Sequence, residues 1–106
     1  MKILLDEMMP VEFRHDLKPH EVLTVSFMNW KGKTNGDLLA SAVAENFDAM
    51  ITNDRNMQFQ QSKTALPFPV LVTRVPQADH ALLRKLVPEI LRLLSEPLSK
   101  DFHLVN

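Results

Sequence analysis

The acids best placed to do chemistry in this chain each stand where an apolar run stops. Lys2-Ile3-Leu4-Leu5 has three consecutive aliphatic residues and ends at Asp6 and Glu7. An apolar run without polar alternation predicts a strand buried on both faces, as in the interior of a parallel sheet. Phe47-Asp48-Ala49-Met50-Ile51-Thr52 predicts a second strand and ends at Asn53-Asp54. In an open α/β sheet, ligands bind in the crevice beyond the carboxyl ends of the strands. If the two strands are parallel neighbours, Asp6 and Asp54 converge there. Clustered carboxylates repel one another, and a shared proton or a bound cation relieves them. An all-oxygen donor set of this kind suits Mg²⁺ or Mn²⁺ rather than zinc.

Each acid also has a plainer reading. Asp6 precedes Pro10, and an Asp ahead of a helix with Pro in its first turn is an ordinary N-terminal cap. Asp54 could cap a helix beginning near Arg55 in the same way. Asp37 opens a third candidate helix, where a carboxylate suits the positive end of the helix dipole. Its alternative role is to lean over the same strand edge as Asp6 and Asp54.

The elements that must position these acids follow from apolar spacing. Residues 10–17 predict a short helix with Val11, Phe13 and Leu17 as its apolar positions, ended by Lys18-Pro19-His20. Residues 21–25 predict a β-branched second strand, so strand, helix and strand imply a parallel crossover. The polar connection 28–36 carries the single Trp and both glycines. Trp30 reads as a lid on the core edge or as a stacking platform for a base. Residues 37–46 predict a helix with Leu38, Leu39, Ala42 and Val43 on its apolar face. A short helix is expected over 55–61, and a strand over 67–73 with proline at its start. Residues 79–94 have helical apolar spacing interrupted by Pro88, which should kink or split the helix. Residues 102–105 predict a final edge strand.

Composition narrows the function classes. A length of 106 residues predicts a single domain over residues 1–106, with a sizeable core. The 45% hydrophobic and 24% charged residues are those of an ordinary globular chain. With no cysteine, disulfides, thiolate metal sites and cysteine nucleophiles are excluded. The four histidines lack metal-ligand spacing. A net charge of -1 gives no bulk attraction to nucleic acid, so RNA binding would need a local basic patch. No apolar run of membrane-spanning or signal-peptide length is present, and a cytoplasmic location is expected.

The sequence Ile-Leu-Leu-Asp-Glu, the Trp-Lys-Gly followed by Asn-Gly-Asp-Leu-Leu, and the Ile-Thr-Asn-Asp-Arg-Asn with Gln-Phe-Gln-Gln together resemble the small PIN-like proteins of bacteria, among them toxins of toxin–antitoxin pairs. The resemblance extends over nearly the whole chain. It implies a three-layer α/β fold with a central, mainly parallel sheet of four to five strands and helices on both faces. It further implies a Mg²⁺- or Mn²⁺-dependent endoribonuclease. Asp6 matches the acid after the first strand, Asp54 the acid of the Thr-x-Asp motif, and Asp37 takes the place of the middle acid. Glu7 is a further candidate metal ligand. A carboxylate-held cation lowers the pKa of its water and neutralises charge on the scissile phosphate. Arg55, Lys31, Lys33, Lys63 and Asn56 are the candidates for holding RNA, the basic residues through neighbouring phosphates. An RNA substrate, an antitoxin protein and a second copy of the chain are the expected partners.

Two other functions remain open. A binding module can keep the fold without the chemistry. A receiver-type phosphorylation switch also has an acid pair after its first strand and an Asp after its third, but requires a lysine after a fifth strand; no Lys follows a predicted strand here, which ranks the switch last. Met8, Met9, Phe13, Phe27, Met28 and Trp30 lie near the proposed edge, as a partner surface or as part of the core.

Overall fold

The computed structural model describes residues 1–57 and 66–106. Its centre is a five-stranded sheet, all parallel: β1 (Lys2–Leu5), β2 (Glu21–Thr24), β3 (Ala49–Thr52), β4 (Val70–Thr73) and β5 (Phe102–Val105), in the order β2-β1-β3-β4-β5. The chain leaves β1 for β2 on one side and returns to β3 on the other. That reversal makes the β1–β3 boundary the topological switch point, outside which doubly wound sheets bind ligands.

The interior strands are apolar because both faces are covered. Ile3, Leu4 and Leu5, all four residues of β3 and all four of β4 are buried. Alternation along the strands divides the core in two. On one face Ile3, Leu5, Ile51 and Leu71 meet Phe13, Leu83, Ile90 and Leu94. On the other, Leu4, Met50, Val70 and Val72 meet Leu38, Leu39, Ala42 and Phe47. Truncating any of these fully buried leucines to alanine should cost about 2–5 kcal/mol.

The helices follow the sequence with shifted ends. The helix expected over 10–17 is a single turn, α1 (Phe13–Asp16), and its N-cap is Glu12 without a side-chain bond. Asp6 therefore does not cap it. The next helix, α2 (Asn35–Ala44), starts two residues before Asp37 because the Thr34 hydroxyl caps it, accepting from the Asp37 N–H at 3.2 Å. Val43, assigned above to the apolar face, is 47% exposed. The stretch over 79–94 divides into α3 (His80–Arg84), capped by the Asp79 carboxylate, and α4 (Val87–Leu94). Pro88 falls in the first turn of α4, where its missing N–H has no carbonyl to reach. The helix expected over 55–61 lies mostly outside the described residues.

No helix among the described residues is long and apolar enough to cross a membrane.

Candidate functional site at the carboxyl ends of β1 and β3

Three strands end in threonine. Thr24, Thr52 and Thr73 close β2, β3 and β4, and they are the buried polar residues of the described chain. A buried hydroxyl must find partners, and here each binds chain that has just left the sheet. Thr24 Oγ1 accepts from the Phe27 N–H at 3.0 Å. Thr73 Oγ1 donates to Asn53 Oδ1 at 2.7 Å.

Thr52 joins the two candidate acids. Its hydroxyl donates to Asp6 Oδ2 at 2.6 Å and accepts from the Asp54 N–H at 3.0 Å. Asp6 is held further by its own backbone, whose N–H donates to the Ile51 carbonyl at 3.0 Å and extends the β1–β3 ladder by one residue. Asp6 Oδ1 accepts from the Glu7 N–H at 2.8 Å. Asp54 Oδ1 accepts from the Asn56 N–H at 3.0 Å, a bond of the kind an N-cap carboxylate makes. Asp6 and Asp54 thus stand just beyond the carboxyl ends of adjacent strands, linked through one side chain.

Burial pushes the Asp6 carboxyl above its ordinary 3.8, the hydrogen bonds from Thr52 and Glu7 pull it down, and the charges of Asp54 and Glu7 push it up. Each engaged carboxylate oxygen keeps a second lone pair, so the pair can still accept a cation. Hard carboxylate oxygens are the donors Mg²⁺ takes, commonly one or two of them completed by water and substrate phosphate. Among the described residues, no three His, Cys, Asp or Glu side chains are grouped to hold a metal ion.

Of the other candidates, Glu7 and Asn56 reach this link through their backbone N–H groups. Asp37 is exposed in the first turn of α2, where its backbone serves the Thr34 cap. Glu7, Lys31, Lys33, Arg55 and Asn56 are exposed. Lys63 lies outside the described residues. Trp30 is half-buried and meets Phe47 edge-on, with ring centroids 5.9 Å apart, so it packs on the core. Of the supposed partner surface, Met9 and Phe13 are buried core, while Met8 and Phe27 are exposed by 47% and 73%. An open cleft of about 240 Å³ lies between Val11, Arg14, Leu23 and Phe27 beside edge strand β2.

The residues not singled out from sequence are Thr52, Asn53 and Thr73. Their signal was a polar residue closing an otherwise apolar strand, visible in Ile51-Thr52-Asn53 and Leu71-Val72-Thr73. In comparisons with protein-family models, curated proteins and solved structures, nothing matches this chain.

Proposed function

We propose that the chain is a PIN-like, Mg²⁺- or Mn²⁺-dependent endoribonuclease, acting as a toxin that an antitoxin protein restrains. The observation carrying this reading is the Thr52 bridge between Asp6 and Asp54 at the carboxyl ends of neighbouring parallel strands. Asp6 and Asp54 would hold the cation. When bound, it would supply an activated water and neutralise charge on the scissile phosphate. Thr52 keeps the Asp6 carboxylate in one orientation, and the Glu7 N–H steadies its other oxygen. The Asn56 N–H does the same for Asp54. Asp37 would join them as the middle acid only after a rearrangement at the start of α2.

The test is cleavage of single-stranded RNA by purified protein in Mn²⁺, Mg²⁺ or EDTA, with Asp6→Asn and Asp54→Asn as controls. The expected result is metal-dependent cleavage abolished by both variants, and growth arrest that disappears with them. Cleavage unaltered in a folded Asp6→Asn protein would remove the assignment.

The strand order also favours a second reading, a receiver-type phosphorylation switch. That order is shared with flavodoxin-like sheets, whose ligands sit at the same β1–β3 position. Incubation with acetyl phosphate and Mg²⁺ followed by intact mass separates the two, since only the switch gains a phosphoryl group.

A further inference from the structure

We propose that Arg74 binds an RNA phosphate beside the Asp6–Asp54 pair, and that Asn53 is the positioning residue that sets it there. The proposal rests on the reading of this edge as an RNA site.

The placement follows from strand register. Thr52 pairs with Val72 in the parallel β3–β4 ladder. One residue further on, Asn53 lies beside Thr73, as the Thr73 Oγ1 bond to Asn53 Oδ1 at 2.7 Å shows, and Arg74 follows Thr73 directly at the carboxyl end of β4. Asn53 then reaches one residue past Arg74. Its Oδ1 accepts from the Val75 N–H at 3.1 Å, and its Nδ2 donates to the Val75 carbonyl at 2.8 Å. Arg74 is therefore the residue between two that a single side chain pins. Three of the four hydrogen bonds available to an Asn side chain are committed to this task.

The charge pattern gives the clamp a purpose. Arg74 is exposed and makes no ion pair among the described residues. The carboxylates of Asp6 and Asp54 lie on the same sheet edge and are engaged by hydroxyl and backbone donors instead. An exposed guanidinium on a fixed backbone, at the same carboxyl edge of neighbouring strands as carboxylates suited to a cation, is the arrangement for a ligand that is anionic and meets the acids through that cation. A phosphodiester fits, because its two free oxygens match the guanidinium fork.

The experiment is binding of a short fluorescein-labelled single-stranded RNA, followed by anisotropy in Ca²⁺, a hard oxygen-seeking cation that can stand at the acids in place of Mg²⁺, read before cleavage begins and across a series of salt concentrations. Arg74→Ala should weaken binding roughly tenfold and reduce the salt slope by about 0.7. Arg74→Lys should restore the slope but only part of the affinity, since it keeps the charge and loses the fork. Asn53→Ala should weaken binding in the wild-type background and change nothing further in the Arg74→Ala background. A merely structural Asn53 would lower the melting temperature without that coupling. Arg74 is exposed, so its variants decide the matter even where Asn53→Ala does not fold. An Arg74→Ala protein with unaltered Kd and slope overturns the proposal, as does a wild-type protein that binds no RNA. Metal-dependent cleavage together with Arg74-independent binding would leave the nuclease reading standing and this inference refuted. Arg74-dependent binding without cleavage in any metal would do the reverse.

Discussion

The Thr52 hydroxyl donates to Asp6 Oδ2 at 2.6 Å, joining the last residue of β3 to the first residue beyond β1. The bond is short and charge-assisted, and Thr52 is fully buried. It fixes a crowded carboxylate in place without neutralising it. That combination is what a cation site needs, and it makes Thr52 the first residue to test.

Thr52→Val keeps the shape of the side chain, removes the donor to Asp6 and leaves the Asp54 N–H without its acceptor. The expected loss is about 1–3 kcal/mol of stability, measured by urea unfolding. Because the Thr52 bond holds the Asp6 pKa down, the Asp6 titration followed by carbon NMR should move higher in this variant. Thr52→Ser keeps the hydroxyl and should leave the Asp6 titration near wild type, with a stability loss of about 1 kcal/mol for the missing buried methyl. An unmoved Asp6 titration in Thr52→Val would mean the bond does not form in solution.

Asp6→Asn should change the pH dependence of stability in a fixed direction. The Asp6 pKa is raised above 3.8, chiefly by burial, so the folded state holds this proton more tightly than the unfolded chain does. Its contribution is most favourable below 3.8 and is lost as pH rises through the folded value. The variant removes that dependence. Its melting temperature relative to wild type should therefore be higher at neutral pH than in acid. A difference that grows on acidification would contradict the raised pKa.

Adding Mg²⁺ or Mn²⁺ at neutral pH should raise the melting temperature of the wild type, because a ligand that binds only the folded state stabilises it by mass action. The shift should shrink in acid, where Asp6 takes up a proton instead, and should vanish in Asp54→Asn. Thermal scans with and without EDTA measure this, and an equal shift in Asp54→Asn would place the cation elsewhere.

Met8 and Met9 should respond oppositely to the same change. Met8 is exposed, and Met8→Glu should alter stability by no more than about 0.5 kcal/mol. Met9 is packed into the α1 side of the core. Burying a carboxylate there forces either partial unfolding or a strongly raised pKa, so Met9→Glu should lower the melting temperature severely. Circular dichroism of the two single variants is sufficient. Similar melting temperatures would show that Met9 is not a core residue.

The sequence by itself determined the strands and where their chemistry could lie. Runs such as Ile3-Leu4-Leu5 and Val70-Leu71-Val72 have no polar alternation, so they read as strands covered on both faces, and the structure has them so. The acids that end such runs are visible without coordinates, and so is the break at Pro88, because proline acts through local backbone geometry. Helix ends were less legible. The start of α2 depended on whether the Thr34 hydroxyl or the Asp37 carboxylate took the free N–H groups, and only the folded chain selects between them. Tertiary structure alone decided which polar residues meet. Strand order set β1 beside β3, and register set Thr52 against Asp6 across 46 residues of chain. The same pairing brought Asn53 to Thr73 and Val75. Apolar periodicity specifies which face of a strand is buried, but not which strand lies next to it. That choice comes from packing two cores at once, and it is what turns separate strand ends into one candidate site.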